Sequence, residues 1–219
     1  MSAIFITGGT GYLGRRIIKK LVQQGHDVTA LVTKGSEAKL PAGTRAIIAD
    51  PFDATTFQQW IPRGAVYIQL PEASLLSSRK KQSSQQSHLR SVKASVNAAV
   101  HSGVSHFIYV RVAMFESGNG KNGQSVCREG EAYLQSKGLV CTVIRPWYVL
   151  GPGHWWPVLL LPLYGIARIV PSWKQKAEQR SLVTLSQMMD TLLKAIASPP
   201  QKLRVFEIKH IKRKSLPAI

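Results

Sequence analysis

Gly8, Gly11 and Gly14, in Thr7-Gly8-Gly9-Thr10-Gly11-Tyr12-Leu13-Gly14, follow directly on the apolar run Ala3-Ile4-Phe5-Ile6-Thr7. Ile17, Ile18, Leu21 and Val22 come next, at helical spacing. The order is strand, tight turn, helix. Glycine at the strand end permits the turn, a second lets a pyrophosphate approach the backbone, and Gly14 lets the helix lie against the sheet. The helix then turns free N–H groups and the positive end of its dipole toward the phosphates. No Gly-Lys-Ser/Thr follows, so this is not the loop that cradles a nucleoside triphosphate. Gly8, Gly9, Thr10, Gly11, Tyr12, Leu13 and Gly14 are the first candidate binding residues.

The alternation continues along the chain. Apolar runs recur at Val28–Val32, Ala46–Ala49, Ala65–Leu70, His106–Val110 and Leu139–Ile144, with helical stretches before the last two. Val183–Ala197 reads as a helix, Leu203–Ile208 as a last strand and Lys209–Lys214 as a basic tail. Near-continuous apolar strands separated by helices imply a parallel sheet covered on both faces, a doubly wound α/β fold. One domain over residues 1–219 is expected, with 147–219 forming a small C-terminal lobe. Two segments read as flexible: the first half of Ser74–Ser91, and Gly118–Gly123.

Charge and cysteine content narrow the partners. The 219 residues hold 29 Lys+Arg against 11 Asp+Glu, a formal charge of +18. Hydrophobic residues make up 44% of the chain, too many for a disordered polyelectrolyte. Cys127 and Cys141 offer neither a disulfide framework nor zinc-ligand spacing, and no secretory leader is visible, so a cytoplasmic location is expected. The most apolar run, Trp155–Val170, is interrupted by Pro162 and Arg168 and is too short to cross a bilayer. With Lys174, Lys176 and the basic tail nearby, it suits shallow seating on an anionic membrane or against a protein partner. Specific nucleic-acid binding is not expected, because net charge alone supplies only non-specific attraction.

The end of the second strand bears on the cofactor. An acid there holds a ribose 2′-hydroxyl, whereas a base accommodates a 2′-phosphate. The strand ends Val32-Thr33-Lys34, which makes Lys34 the leading 2′-phosphate contact, with Arg15 and Lys39 as helpers. NADP(H) is favoured over NAD(H).

The Gly-x-x-Gly-x-x-Gly spacing, Asp50 at the end of the third strand, Val104–Val110, and Thr142-Val143-Ile144-Arg145-Pro146 with Gly151-Pro152-Gly153 together resemble the atypical short-chain dehydrogenase/reductases. The NAD(P)H-binding, NmrA-like branch is the nearest match, over residues 3 to 153. The resemblance implies a Rossmann fold with the cofactor across the strand C-termini. It also implies Asp50 near the adenine, and Leu70, Pro71 and Pro146 near the nicotinamide.

Departures from the pattern bear on chemistry. Dehydrogenases of this superfamily use a Ser or Thr at the end of the fifth strand, plus a Tyr and a Lys four residues on. Here Arg111 stands where the hydroxyl is expected. Aligning Glu131 with the family's Glu puts Gly123 and Cys127 at the Tyr and Lys positions, and neither can do that work. Tyr133 and Lys137 match Tyr-x-x-x-Lys literally, but Gly138 follows at once as a helix stop, so the pair is read as a decoy. No acid lies between Ala73 and Phe115 or from Ala132 to Ala177, so an electropositive crevice and an anionic small-molecule substrate are expected. Trp147, Tyr148, His154, Trp155 and Trp156 follow the sixth strand, where a substrate pocket would close. Reduction of a quinone, flavin or enone would demand least of a missing Tyr/Lys pair, with Tyr148 or water as acid and Arg111 stabilising a developing anion. The alternative is a non-catalytic NADP(H) sensor or assembly factor.

Overall fold

The computed structural model describes residues 1–71, 81–111, 121–151 and 182–212. His154, Trp155–Val170, the loop halves at 72–80 and 112–120, and Arg213 with Lys214 lie outside the described residues. So does the side chain of Cys127.

Every pairing in the main sheet is parallel. The strands are β1 (Ala3–Thr7), β2 (Asp27–Val32), β3 (Thr44–Ile48), β4 (Val66–Gln69), β5 (His106–Val110), β6 (Cys141–Arg145) and β9 (Leu203–Glu207). Their order across the sheet is β3-β2-β1-β4-β5-β6-β9. Five α-helices lie among the described residues: α1 (Tyr12–Gln23), α2 (Lys81–Ser102), α3 (Lys121–Ser136), α4 (Leu185–Ala197) and α5 (Ile208–Lys212). A separate pair, β7 (Val149–Leu150) with β8 (Val183–Thr184), brackets the undescribed stretch between them. This is the doubly wound fold expected from the alternation of runs.

Two apolar layers fill the space between sheet and helices because consecutive strand residues point to opposite faces. Ile4, Ile6, Ile68, Leu70, Ile108, Val110 and Ile144 meet Ile17, Ile18 and Leu21 of α1, Leu192 of α4 and Ile211 of α5. On the other face, Phe5, Tyr67, Phe107, Tyr109 and Val143 meet Val92 and Val96 of α2 and Leu134 of α3. Phe57, Phe5, Tyr67 and Phe107 stack as a ladder with centroids 4.9 to 6.1 Å apart.

Some boundaries differ from the sequence reading. Residues 121–123 of the glycine-rich segment already belong to α3. Val183 and Thr184 form a strand, and the helix starts at Leu185 with a capping box between Thr184 and Gln187. The basic tail is a helix as far as Lys212, because Ile208 and Ile211 stand one turn apart and are buried. The described part of 147–219 is shared out: β7 and β8 pair beside α1, whereas β9 completes the main sheet.

His106 opens β5 fully buried, with Nε2 2.9 Å from the Thr142 hydroxyl. Burial, helped by the nearby Arg204 charge, pushes its pKa from 6.5 down to about 4. Nδ1 has no hydrogen-bond partner among the described residues, so protonation there would bury an unpaired donor. The unfolded chain takes up this proton first as pH falls, so stability is full above 6.5 and declines toward about 4. At about 1.4 kcal/mol per pKa unit, the loss is on the order of 3 kcal/mol. Urea denaturation from pH 7 to 4 should show it, with His106→Gln losing part of the slope.

Candidate functional site

The turn after β1 is built around three close approaches. Gly8 has φ +72°, and a Cβ there would stand 2.8 Å from the Leu70 carbonyl oxygen. A Cβ on Gly9 would meet Ile18 Cδ1 at 2.8 Å. One on Gly14 would overlap the Gly8 carbonyl oxygen and lie 2.7 Å from Gly9 Cα. Glycine is therefore required at 14 to let α1 approach β1. Gly11 N–H donates to the Gly8 carbonyl at 3.2 Å, and backbone bonding of α1 starts at Arg15 N–H to Gly11 O, 3.1 Å. Gly11 is the cap residue, with no side chain to satisfy the following amides, and the first turn holds no acid. First-turn N–H groups of α1, those of Leu13 and Gly14 among them, are placed where they could donate to an anion. Beneath the turn, the Thr7 hydroxyl donates to Gln69 Oε1 at 2.5 Å, while the buried Gln69 Nε2 has no partner among the described residues. A dinucleotide diphosphate fits this cradle.

The side chains of two candidates are engaged in packing. The Tyr12 ring lies under the Arg16 guanidinium, 3.9 Å from its centroid, and its hydroxyl occupies the space a Cβ on Gly151 would take. Burial raises the phenol pKa, against the pull of Arg16. Tyr12 thus ties α1 to the residue after β7, and Leu13 packs on the aliphatic core. Thr10 is half-buried in the turn.

Lys34, Arg15 and Lys39 are all exposed. The sequence reading passed over Glu37, whose Oε1 accepts from Gly35 N–H at 3.1 Å in the turn that carries Lys34. Asp50 is exposed at the end of β3, and its Oδ1 accepts from Phe52 N–H at 2.9 Å.

At the strand ends toward the other half of the sheet, Leu70 and Pro146 are buried and Pro71 is half-buried. Arg111 is not a free cation. Its guanidinium pairs with Glu131 Oε1 of α3 at 2.8 Å, where the two side chains are only 11% and 7% exposed. Arg145 binds both oxygens of the same carboxylate and reaches Glu207 Oε1 at 2.6 Å. Glu131 therefore holds the ends of β5 and β6 together and to α3, and its hydrogen bonds raise the pKa of Arg145. Sequence reasoning used Glu131 only as a landmark, although an acid in the middle of a helix four residues from Cys127 was the available signal. Gly123, Cys127 and Glu131 fall at four-residue steps on one side of α3. Tyr133 and Lys137 sit at its other end. The Tyr133 hydroxyl donates to Asn97 at 2.7 Å, Lys137 Nζ lies 5.1 Å from the ring centroid, and neither reaches the strand ends.

Next to Arg111, the buried Tyr109 hydroxyl lies 3.0 Å from His88 Nε2 of α2, and the rings are 6.2 Å apart. Burial and the Arg111 charge push the His88 pKa down to about 4, so the imidazole is neutral at pH 7. Removing the Glu131 charge would take a carboxylate from the buried Arg111 and leave Arg145 with Glu207. Glu131→Ala should lower unfolding free energy by about 3–5 kcal/mol in urea titration, and Glu131→Gln by less.

The matches with known proteins agree with this geometry. A family model described as NAD(P)H-binding matches residues 8–151. No curated protein sequence matches the chain. Among solved structures, the enzyme WbmH of Bordetella bronchiseptica, crystallised with NAD+, superposes with TM-score 0.68 at 18% identity, over 94% of this chain and 76% of that one. UDP-glucose 4-epimerase from Thermotoga maritima gives 0.65 at 18%, covering 96% and 81%. Vestitone reductase from alfalfa gives 0.63 at 14%, covering 94% and 77%. At these identities the superpositions establish the fold, and the family match over most of the sheet establishes the relationship. With its glycine cradle in place, the chain belongs to the NAD(P)H-binding family of Rossmann-fold proteins.

Proposed function

We propose that the chain is an NADP(H)-dependent reductase of a quinone, flavin or enone acceptor. The observation that carries this reading is the start of α1, capped by a glycine without a side chain and closed against β1 by Gly8 and Gly14. When bound there, NADPH supplies a hydride from its nicotinamide C4. The Tyr12, Leu13 and Gly14 amides hold the diphosphate. Lys34, Arg15 and Lys39 outnumber Glu37 around the 2′-phosphate position, and Glu37 is engaged with Gly35. Asp50 bounds the adenine end, while Leu70, Pro71 and Pro146 line the approach to the nicotinamide. Arg111 contributes through a charge shared with Glu131. An acceptor whose reduced form is a delocalised anion needs the least help from a protein acid, which favours this class at a site with glycine at position 123.

A second reading, a cofactor sensor that binds an anionic surface, has its own support. The layer formed by α1, α4 and α5 exposes Arg15, Lys19, Lys20, Lys209 and Lys212 against the single acid Asp190. No helix among the described residues is long and apolar enough to cross a membrane.

Fluorescence titration with NADPH and NADH, followed by loss of NADPH absorbance on adding acceptors, separates the readings. NADPH should bind at least about tenfold tighter, a difference of about 1.4 kcal/mol, and Lys34→Ala should narrow the gap. Equal affinities would remove the NADP preference. Gly14→Ala should abolish binding of both and lower thermal stability as α1 is pushed from β1, with circular dichroism reporting how much of the fold remains. Tight binding with no turnover favours the sensor.

A further inference from the structure

We propose that His88 is the hydrogen-bond donor to the substrate oxygen, standing in for the absent hydroxyl, and that Tyr109 is the positioning residue that fixes its tautomer. This role rests on the reductase reading.

Three placements support it. Tyr109 is the penultimate residue of β5, on the same face as Arg111 two residues on, so its side chain rises toward α2 and α3 at the level of the strand ends. The ring is wholly buried, which obliges its hydroxyl to find a partner, and the His88 imidazole lies within hydrogen-bond distance of it. A backbone carbonyl or serine would satisfy a phenol equally well. A histidine adds a second nitrogen, and residue 88 keeps partial solvent exposure, unlike the phenol beneath it, although its ring is enclosed enough to depress its pKa. Gly130 of α3 lies against the same hydroxyl, so no side chain of α3 at that position competes for it.

Tautomer and charge follow from these contacts. If the Tyr109 O–H donates to Nε2, the one proton of a neutral imidazole sits on Nδ1 and points away from the phenol. Burial and Arg111 keep the ring neutral, so it polarises an oxygen without delivering its own proton. When the hydride adds to the acceptor carbon, the electron pair of the C=C or C=O bond moves to oxygen. The resulting oxyanion accepts the Nδ1–H hydrogen bond and then takes a proton from water. The acceptor gains a hydride and a proton, and NADPH is oxidised to NADP+.

The test uses the full chain. Side-chain 15N NMR of the NADPH-bound protein at pH 7 should show the His88 ring protonated at Nδ1 and bare at Nε2, with the resonance assigned by its loss in His88→Gln. In Tyr109→Phe that preference should disappear. With 1,4-naphthoquinone as acceptor, His88→Ala should cut kcat about 100-fold while NADPH affinity stays within about twofold. Tyr109→Phe should cut it less. If alanine does not fold, His88→Leu, which fills the site without a donor, is read instead. A ring protonated at Nε2, or a kcat unchanged by removing the imidazole, overturns the assignment while leaving the reductase reading intact. Wild-type protein that binds NADPH but reduces no quinone, flavin or enone overturns that reading, and this role with it.

Discussion

The distance between α1 and β1 is the constraint on which the rest of the structure depends. Gly14 faces the Gly8 carbonyl and the Gly9 backbone so closely that a single methyl group would force them apart. Because β1 pairs with β2 on one side and β4 on the other, moving α1 would disturb the centre of the sheet. The contact also sets where the helix begins. Its first turn, which no cap side chain covers, ends up over the C-terminal end of β1, where it could serve a ligand lying across the strand ends. Tyr12 extends this constraint beyond the turn, since its ring seats the residue that follows β7.

On the α2/α3 face, polarity rises in steps along the strands. Phe5, Tyr67, Phe107 and Cys141 share one register row, Thr7, Gln69, Tyr109 and Val143 the next, and Arg111, Arg145 and Glu207 lie at the level above. The first row needs no solvation and the last cannot do without it. Glu131 resolves the conflict by bringing a carboxylate from α3 to two guanidinium groups that the strands carry inward. The cost of desolvating these ions is offset only while all stay paired. Arg111 therefore acts on its surroundings through its field, which adds to burial in depressing the pKa of His88.

The sheet was legible because each central strand is buried on both faces and so reads as an unbroken apolar run. β3 was read less accurately, its start placed at Ala46 rather than Thr44, because as an edge strand it leaves Arg45, Ala46 and Ile48 exposed. In α5, two buried isoleucines were hidden among lysines, and a charge count outweighed an i, i+3 spacing that was there to be found. The phosphate turn was legible for a different reason: its requirements are local, set by backbone geometry within eight residues. The Glu131 network was not, since its partners lie 14 and 20 residues away on separate strands, and only the sheet register brings them together. The His88–Tyr109 contact, across 21 residues, was invisible on the same grounds.

The strand order accounts for why these features meet. From β1 the chain builds outward through β2 to β3, then returns to lay β4 on the other side of β1. The connections leaving β1 and β4 diverge, and a crevice opens between them at the strand C-termini. Gly8 follows β1, Leu70 and Pro71 follow β4, and the last residues of the two strands, Thr7 and Gln69, are hydrogen-bonded to each other. A ligand lying across that gap would meet helix amides on the β1 side and, past β4, the His88–Tyr109–Arg111 cluster. Topology supplies the crevice, and the glycine turn after β1 and the polar cluster carried by β5 and α2 give its two halves different chemistry.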